Sequence, residues 1–369
     1  MEPDRRRLRL AIVGCGAIAD THVVGAERVG ARIDVTVAID PDPGRRDQLA
    51  ERVGAAAFAS LAEAIETAGD TFDAVDIGVP HDLHESVTLE AFEAGKHVLL
   101  EKPMAPDPAA CARILAAADA HPELVFLVAE QSQYWPDVVE AARLIADGAV
   151  GQPLFARACY WDRGVLPTDL GPDDPVPWRF RLDRAGGGLA IDGGAHWIRP
   201  LRMLLGEVEA VVGVTGRHVE RMEGESWFQA LLRFRSGATA TFEGFASNAP
   251  AAPAELFRVT GTEGELVIPG PDFRDAEIRL HNAAHPDGAT VYHLDRGRAD
   301  SYGLELADFA DAALDGAAPA APAEDSLAEL RTALALYRSV RSGRWEPIWD
   351  DAEPADPSPS PSPSPGSKD

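Results

Sequence analysis

Cysteine and long apolar runs are scarce in this chain of 369 residues, and each shortage excludes a class of protein. Three cysteines, Cys15, Cys111 and Cys159, are too few and too scattered for a disulfide framework or a thiolate zinc site. No uncharged apolar stretch reaches the roughly 18 residues that a membrane-spanning helix needs. The apolar run at residues 8–13 contains Arg9 and leads into glycines, so it predicts a strand and not a signal peptide. We therefore expect a cytoplasmic protein.

Positive charge is also in short supply, with 34 Lys plus Arg against 60 Asp plus Glu and a net charge of −26. Such a chain is not expected to bind nucleic acid or an anionic membrane, because both need a basic face. The shortage is sharpest for lysine, which occurs only as Lys96, Lys102 and Lys368. Because arginine keeps its proton near neutral pH, an amine that takes part in proton chemistry can occupy very few positions.

The order of the apolar runs predicts two domains and a tail. Over the first third of the chain, strand patterns alternate with helix patterns, which is typical of βαβ units and a doubly wound parallel sheet. Beyond residue 129, short strand patterns follow at hairpin spacing and predict a mostly antiparallel sheet in an α+β domain. The predicted domains are residues 1–128 and 129–349. Residues 350–369, with their Pro-Ser alternation, are expected to be disordered.

A glycine-rich turn joins the first strand to a helix pattern. It reads Gly-Cys-Gly-Ala-Ile-Ala at residues 14–19; its first glycine permits a tight turn and its second lets the main chain approach a pyrophosphate. Asp40 ends the second strand, where a carboxylate accepts the ribose hydroxyls of NAD and repels the 2′-phosphate of NADP. Arg45 and Arg46 are evidence for NADP. Because of Asp40 we favour NAD, and NADP stays an alternative. The predicted cofactor-binding residues here are Gly14, Cys15, Gly16, Ala17, Ile18 and Asp40.

One of the rare lysines comes directly after a strand pattern. Lys102, in Glu101-Lys102-Pro103, follows the strand pattern at residues 97–100, and the carboxyl ends of parallel strands line the ligand crevice of such a sheet. A lysine at that edge can hydrogen-bond a reacting hydroxyl and stabilise its developing negative charge. A lysine that only faces water is the alternative.

A carboxylate and a histidine lie four residues apart in a helix pattern at residues 189–205. Asp192 and His196 would therefore share one face of one helix. Histidine is the natural base for a hydroxyl proton, and a carboxylate one turn away can orient it or hold substrate. A surface Asp–His pair without such a role is the alternative. Gly193 and Gly194 inside a helix indicate close approach by a ligand or by main chain. No spacing predicts a metal site.

These clusters together resemble the Gfo/Idh/MocA oxidoreductases, the family of glucose–fructose oxidoreductases and inositol dehydrogenases. The resemblance runs from about residue 8 to residue 349. The combination of Glu-Lys-Pro with a later Gly-Gly-Gly and Asp-x-x-x-His is its most specific part. It is carried by residues 14–19, 80–84, 94–103, 129–131, 148–151, 178–179 and 186–196.

The resemblance implies an N-terminal Rossmann domain and a C-terminal α+β domain, whose large open sheet commonly forms the interface of a homo-oligomer, a dimer or tetramer. It also implies that Lys102 assists at the reacting hydroxyl, that Asp192 binds substrate or supports the base, and that His196 is the acid/base. The Lys102–Pro103 bond is implied to be cis. The residues implied to line the nicotinamide and its ribose are Val79, Pro80, His84, Glu101 and Lys102.

Two positions depart from the family pattern. Where many relatives have an aspartate three residues after the histidine, this chain has Arg199-Pro200, and a proline there is expected to shift or kink the helix. Gln131 stands where similar members often have asparagine. Neither departure indicates which substrate is bound.

The predicted activity is the reversible transfer of hydride between NAD(P) and a secondary hydroxyl of a sugar, inositol or related polyol. Two other functions stay open: an enzyme that holds NAD(H) tightly and both oxidises and reduces a sugar or glycoside, and a dinucleotide-binding regulator. Core aromatics and rim ion pairs are the alternative interpretation of the predicted substrate contacts. These contacts are Gln131, Tyr160, Trp161, Asp162, Arg163, Trp178, Arg179 and Tyr302.

Overall fold

The computed structural model describes residues 6–162, 170–171, 173–247, 253–270, 276–284 and 289–349. Its strands are β1 Leu8–Val13, β2 Ile33–Ile39, β3 Ala56–Phe58, β4 Ala74–Ile77, β5 His97–Glu101, β6 Phe126–Ala129, β7 Pro153–Asp162, β8 Val208–Gly216, β9 Trp227–Phe234, β10 Thr239–Ala246, β11 Glu255–Gly261, β12 Gly264–Pro269, β13 Glu277–Asn282, β14 Thr290–His293 and β15 Glu346–Pro347. Its helices are α1 Ala17–Val29, α2 Pro43–Val53, α3 Leu61–Ala68, α4 His84–Glu93, α5 Pro108–Ala120, α6 Pro136–Ala146, α7 Leu182–Ala185, α8 Leu189–Asp192, α9 Ala195–Leu205, α10 Ser301–Asp315 and α11 Glu324–Ser342.

The described residues form two compact units. The first unit takes its residues from 1–136 and 296–327, and the second from 137–295 and 328–369. The bounds predicted from sequence placed residues 129–349 in one domain. Residues 296–327 join the first unit because the apolar face of α10, with Leu306, Phe309 and Ala310, is part of the core that covers β1 and α1. No helix of the described ranges is long and apolar enough to cross a membrane.

The first unit contains a parallel sheet of six strands in the order β3-β2-β1-β4-β5-β6. Strand β4 is buried along its whole length and β1 along nearly all of it, which explains their near-continuous apolar sequences. The strand order reverses direction between β1 and β4, and ligands bind at such a switch point beyond the carboxyl ends of the strands. The predicted Rossmann-type sheet is confirmed, and it brings the ends of β1, β2, β4 and β5 to one edge.

The second unit contains a sheet of nine strands in the order β14-β13-β12-β11-β7-β10-β9-β8-β15. Neighbouring strands are antiparallel except β7 and β10, which run parallel. Strand β9 alternates between exposed and buried residues, the pattern of a sheet with one covered and one open face. The predicted mostly antiparallel sheet is confirmed.

The prediction of one continuous helix over residues 189–205 is wrong. The segment forms the short helix α8, which ends at Asp192, and the separate helix α9, which begins at Ala195. Gly193 and Gly194 make the break. Helix α9 then continues through Pro200 to Leu205, so the proline does not end it.

Candidate active site

The glycine-rich turn of the first unit fits a dinucleotide phosphate. Gly14 has a φ of 96°, and a Cβ there would lie 2.5 Å from the carbonyl oxygen of Gly78, so only glycine suits the position. No atom lies within 4 Å of where a Cβ of Gly16 would stand. Helix α1 begins next to this open space without a side-chain cap, so its first N–H groups face it.

Asp40 is buried at the end of β2 and fixes the same turn. One of its oxygens accepts the main-chain N–H of Cys15 at 2.9 Å, and the other accepts that of Asp42 at 2.8 Å. Ala17 and Ile18 form the first turn of α1 beside it. Arg46 donates to the Asp40 carbonyl oxygen at 3.3 Å, whereas the Arg45 side chain is largely exposed. A guanidinium therefore lies next to the residue that carries the buried carboxylate at the end of β2.

His84 connects two of the predicted cofactor-binding segments. Its Nδ1 lies 2.9 Å from the carbonyl oxygen of Pro103, and its Nε2 lies 2.9 Å from that of Val79. Burial lowers the pKa of His84, so the imidazole is neutral and one of the two nitrogens donates a hydrogen bond. Direct contact between this fully buried ring and a nicotinamide stays a prediction. The structure shows that the ring links Val79 to Pro103, the residue that follows Lys102.

Lys102 follows β5 and is half-buried. The expected cis bond between Lys102 and Pro103 is confirmed. The Lys102 main-chain N–H donates to Glu101 Oε2 at 3.1 Å, which fixes that carboxylate beside the lysine. Two predicted substrate contacts of the same unit also come together, since Gln131 Nε2 donates to the Tyr302 hydroxyl at 3.2 Å.

Sequence reasoning missed His22, which lies behind Glu101. The histidine is buried on α1 with Ala19 and Val23, and its Nδ1 lies 2.7 Å from Asp76 in β4. The sequence signals were a histidine within the apolar stripe of a helix and an aspartate inside an otherwise apolar strand. Both residue types are rarely buried without a partner, so each position pointed to the other.

In the second unit, Asp192 is held by an arginine. Arg179 Nε lies 3.3 Å from Asp192 Oδ2, and the Arg179 guanidinium lies over the Trp178 ring at 4.4 Å from its centre. Asp192 is buried, while His196, in the first turn of α9, is half-buried. The structure thus groups three predicted site residues, Trp178, Arg179 and Asp192, and leaves His196 partly accessible.

Tyr160 lies close to the group formed by Trp178, Arg179 and Asp192. Its ring stacks on Trp197 with centres 4.3 Å apart, and its hydroxyl lies 3.5 Å from Asp162 Oδ2. Burial raises the pKa of the Tyr160 hydroxyl, and the charges of Asp162 and Asp192 raise it further. The hydroxyl is therefore a hydrogen-bond donor at neutral pH, not a phenolate.

One predicted contact, Trp161, lies apart from this group. Trp161 faces the opposite side of the sheet from Tyr160 and Asp162, because successive residues of a strand alternate; its ring meets that of Phe245 at 5.8 Å. Arg163 lies outside the described residues. No group of three or more His, Cys, Asp or Glu side chains in the described part of the chain is arranged to hold a metal ion.

Glu225 anchors the short helix that carries Asp192. Its Oε1 accepts the main-chain N–H of Ala190 at 2.7 Å and the hydroxyl of Tyr337 at 2.9 Å. The same hydroxyl accepts the Gly188 N–H at 3.1 Å. Burial raises the pKa of Glu225 to about 7, although these donors oppose the rise. No sequence pattern indicated this residue, because its partners lie far away along the chain.

Two family models match the sequence: "Oxidoreductase family, NAD-binding Rossmann fold" over residues 8–129 and "GFO/IDH/MocA C-terminal domain" over residues 138–267. The 1,5-anhydro-D-fructose reductase of Ensifer adhaerens is 30% identical over 346 residues, which cover 91% of this chain and 97% of that protein. The chain belongs to the Gfo/Idh/MocA oxidoreductase family. It is an NAD(P)-dependent dehydrogenase or reductase with an NAD-binding Rossmann domain, as the sequence resemblance implied.

Other members of the family resemble the whole chain. Inositol 2-dehydrogenase 3 of Saccharopolyspora erythraea is 28% identical over 344 residues, 92% of this chain and 95% of that protein. Levoglucosan dehydrogenase, solved with NADH and levoglucosan, shares the fold with a TM-score of 0.82 at 23% identity, covering 93% of this chain and 100% of its own. An aldose–aldose oxidoreductase from Caulobacter crescentus, solved with glycerol, has a TM-score of 0.77 at 25% identity, with coverage of 93% and 100%.

Proposed function

We propose that this enzyme reversibly oxidises a secondary hydroxyl of a neutral sugar or polyol ring, with NAD as its preferred cofactor. The observation that carries the proposal is the half-buried His196 one turn after a buried, arginine-paired Asp192. A partly accessible imidazole, four residues after a carboxylate that an arginine holds in place, suits the transfer of a hydroxyl proton. The names of the relatives, which include an inositol dehydrogenase and an anhydrofructose reductase, support the substrate class.

In the proposed mechanism His196 is the acid/base. When bound, NAD supplies the hydride acceptor. His196 takes the proton of the substrate hydroxyl and returns it in the reverse reaction, because an imidazole can do both near neutral pH. Lys102 stabilises the negative charge that develops on the reacting oxygen, as an ammonium group does best when it is already in place. Asp192 holds a substrate hydroxyl or orients His196.

The charges around Tyr160 favour a neutral substrate over a sugar acid. Of the described groups that act on the Tyr160 hydroxyl, Asp162 and Asp192 are acidic and only Arg179 is basic. Arg179 is already paired with Asp192 at 3.3 Å, so it does not offer an unpaired positive charge to a carboxylate. We propose that Tyr160, Asp162 and Arg179 bind substrate hydroxyls, with Trp178 as a stacking surface. For Gln131 and Tyr302 we propose the same role from the first unit.

The preference for NAD is proposed from Asp40. Its carboxylate lies at the end of β2, where the ribose of a dinucleotide would be held, and it would repel a 2′-phosphate. Arg46 adjoins Asp40, so we expect measurable activity with NADP as well.

A substrate panel tests the proposal. Purified enzyme would be mixed with NAD or NADP and a set of inositols, aldoses, anhydrosugars and sugar acids, and NAD(P)H formation would be followed. We expect at least one neutral ring substrate to be turned over, with a higher kcat/KM for NAD than for NADP. Turnover of sugar acids alone would contradict the proposed substrate class, and no reduction of either cofactor would contradict the proposed reaction.

A second candidate function keeps the cofactor bound between turnovers. The likeness to an aldose–aldose oxidoreductase at 25% identity favours it. In this case the enzyme oxidises one sugar and reduces another without added cofactor. Protein that is purified with nicotinamide bound and interconverts two sugars without added NAD would favour this function over the first.

Two further properties of the enzyme are proposed, its oligomeric state and its location in the cell. We propose that the enzyme forms a homo-oligomer through its nine-stranded sheet, because Phe155, Val214 and Leu231 are exposed apolar side chains on strands of that sheet. We also propose a cytoplasmic location, since the three cysteines are buried and none of them forms a disulfide, which suits a reducing compartment. Light scattering after size-exclusion chromatography tests the first proposal, and cell fractionation tests the second.

A further inference from the structure

A buried histidine surrounded by carboxyl groups lies behind the strand ends of the first unit. His22 on α1 has its Nδ1 at 2.7 Å from Asp76 Oδ2 in β4. Its Nε2 lies 3.2 Å from Glu101 Oε1, at the end of β5, and 3.9 Å from Glu305 Oε1 in α10. All four side chains are buried. We call these four residues the His22 cluster.

Glu305 is the member of the His22 cluster whose burial is least compensated by hydrogen bonds. It is fully buried, and neither of its carboxyl oxygens has a hydrogen-bond partner in the described part of the chain. The charged and titratable groups that face the cluster from neighbouring elements are Glu130 and Tyr302, whose ring centre lies 6.0 Å from that of His22. An ionised Glu305 would therefore add a negative charge to a region that already holds several carboxylates.

The electrostatics of the His22 cluster favour one charged imidazole and one neutral carboxyl. Burial alone would lower the pKa of His22, but Asp76 and Glu101 outweigh it and raise that pKa well above its ordinary value. Burial raises the pKa of Glu305 well above its ordinary value, and Glu101, Glu130 and Asp76 raise it further against the opposing charge of His22. The protonated His22 imidazole therefore pairs with the carboxylates of Asp76 and Glu101, while the Glu305 carboxyl group keeps its proton.

Glu101 links this cluster to Lys102. Its Oε2 accepts the Lys102 main-chain N–H at 3.1 Å, while its Oε1 faces His22. The two contacts engage opposite oxygens, so together they fix the rotation of the carboxylate. Without a protonated His22, Asp76 and Glu101 would lose the cation that both of them contact, and repulsion between the two buried carboxylates would displace Glu101 or favour protonation of one of them.

We propose that His22 and Glu305 are positioning residues, which keep Glu101 ionised and correctly oriented so that cofactor binding depends on the protonation of the His22 cluster. The inference rests on the proposed function, because it takes Glu101 to be part of the cofactor site. In this proposal His22 and Glu305 affect cofactor binding through Glu101 and not through direct contact with the cofactor.

NADH affinity as a function of pH tests the inference. We expect H22Q to bind NADH about 10-fold more weakly than wild type near pH 8, with partial recovery near pH 6 as Asp76 takes up a proton and no longer repels the ionised Glu101. H121N changes a more exposed histidine at the end of α5 and is expected to match wild type at both pH values. Wild-type affinity should fall at alkaline pH as Glu305 ionises, whereas E305Q, which imitates the neutral carboxyl, should stay constant.

Comparison of E101Q with H22Q distinguishes an error in the positioning role of His22 from an error in the proposed cofactor site. If E101Q weakens NADH binding but H22Q matches wild type, the positioning role is wrong while the cofactor site stands. If E101Q itself binds NADH as tightly as wild type, the premise about Glu101 is wrong. An equal loss for H22Q at both pH values would show a merely structural role and overturn the inference.

Nuclear magnetic resonance of wild-type protein with labelled histidine provides a second readout, independent of whether H22Q folds. We expect the His22 imidazole to stay protonated near pH 8, above the range in which an ordinary imidazole loses its proton. A neutral His22 at that pH would overturn the inference.

Discussion

The hydroxyl of Tyr160 lies against Gly193, the residue that separates the helix of Asp192 from the helix of His196. A Cβ at Gly193 would stand 1.8 Å from the Tyr160 oxygen. Gly193 has an ordinary helical φ of −89°, so the requirement for glycine comes from this contact and not from its backbone conformation. The predicted close approach at Gly193 thus comes from an aromatic side chain, and the contact sets where Asp192 and His196 lie relative to Tyr160.

Substitution of Gly193 by alanine should therefore damage catalysis more than folding. We expect G193A to lower kcat/KM by about 100-fold, because a displacement of about 1 Å in a catalytic segment costs about that much, with a loss of about 1–3 kcal/mol in the free energy of unfolding. G69A is the matched control, since no atom lies within 4 Å of its Cβ position. Unchanged kinetics in G193A would show that the Tyr160 contact does not position the site.

Asp40 should control the choice of cofactor. D40A removes the ribose acceptor and the charge that repels a 2′-phosphate, so we expect the ratio of kcat/KM for NAD to that for NADP to fall by about 10- to 100-fold. R46A should raise the same ratio, because it removes the guanidinium that adjoins Asp40. Steady-state kinetics with both cofactors measures the change. An unchanged ratio in both variants would place the ribose elsewhere.

Glu225 should make stability depend on pH. Burial raises its pKa to about 7 in the folded protein, above the value of about 4.3 in an unfolded chain, so the folded state holds the proton more tightly. This contribution is fully present below about pH 4 and is lost as pH rises through about 7. E225Q keeps an acceptor for Ala190 and Tyr337 but cannot ionise. As the pH rises from about 5 to about 8, its free energy of unfolding should therefore increase by about 2–3 kcal/mol relative to that of wild type.

Urea unfolding at the two pH values measures that gain. E51Q, at an exposed carboxylate of α2, is the control and should show no such dependence. A constant difference between E225Q and wild type would mean that Glu225 does not take up a proton in this range.

Arg199, at the position where many relatives have aspartate, forms a buried ion pair with Glu329 of α11. Arg202 lies 3.5 Å from the same carboxylate. E329A leaves two buried arginines less compensated, so we expect a loss of about 3–5 kcal/mol in the free energy of unfolding, and a smaller loss for the double variant R199L/E329L. E140A, which breaks the more exposed pair with Arg143, should cost about 1 kcal/mol or less. Equal losses in E329A and E140A would contradict this.

The sequence predicted those features that depend on local patterns. Apolar runs with β-branched residues identified most strands of both sheets, and the turn at Gly14 together with Asp40 located the dinucleotide loop because each conformational role needs a particular residue type. The resemblance to the family also gave the cis bond before Pro103. Each of these features can be recognised from residues that are neighbours in the sequence.

Features that depend on distant contacts could not be predicted. The return of α10 to the first unit relies on Gly25 and Gly303, which let α1 and α10 approach each other closely. The break after Asp192 and the anchoring by Glu225 likewise depend on partners more than 30 residues away, Tyr160 and Tyr337 among them. The positions of such residues follow from tertiary packing, which a periodic pattern does not contain.

The central claim, that His196 is the acid/base of an NAD-dependent oxidation, is tested most directly by comparing H196N with wild type on the best substrate of the panel. We expect kcat to fall by about 100- to 10,000-fold, the usual contribution of a general acid or base, while the affinity for NADH stays unchanged. A variant that reduces NAD at the wild-type rate would contradict the account.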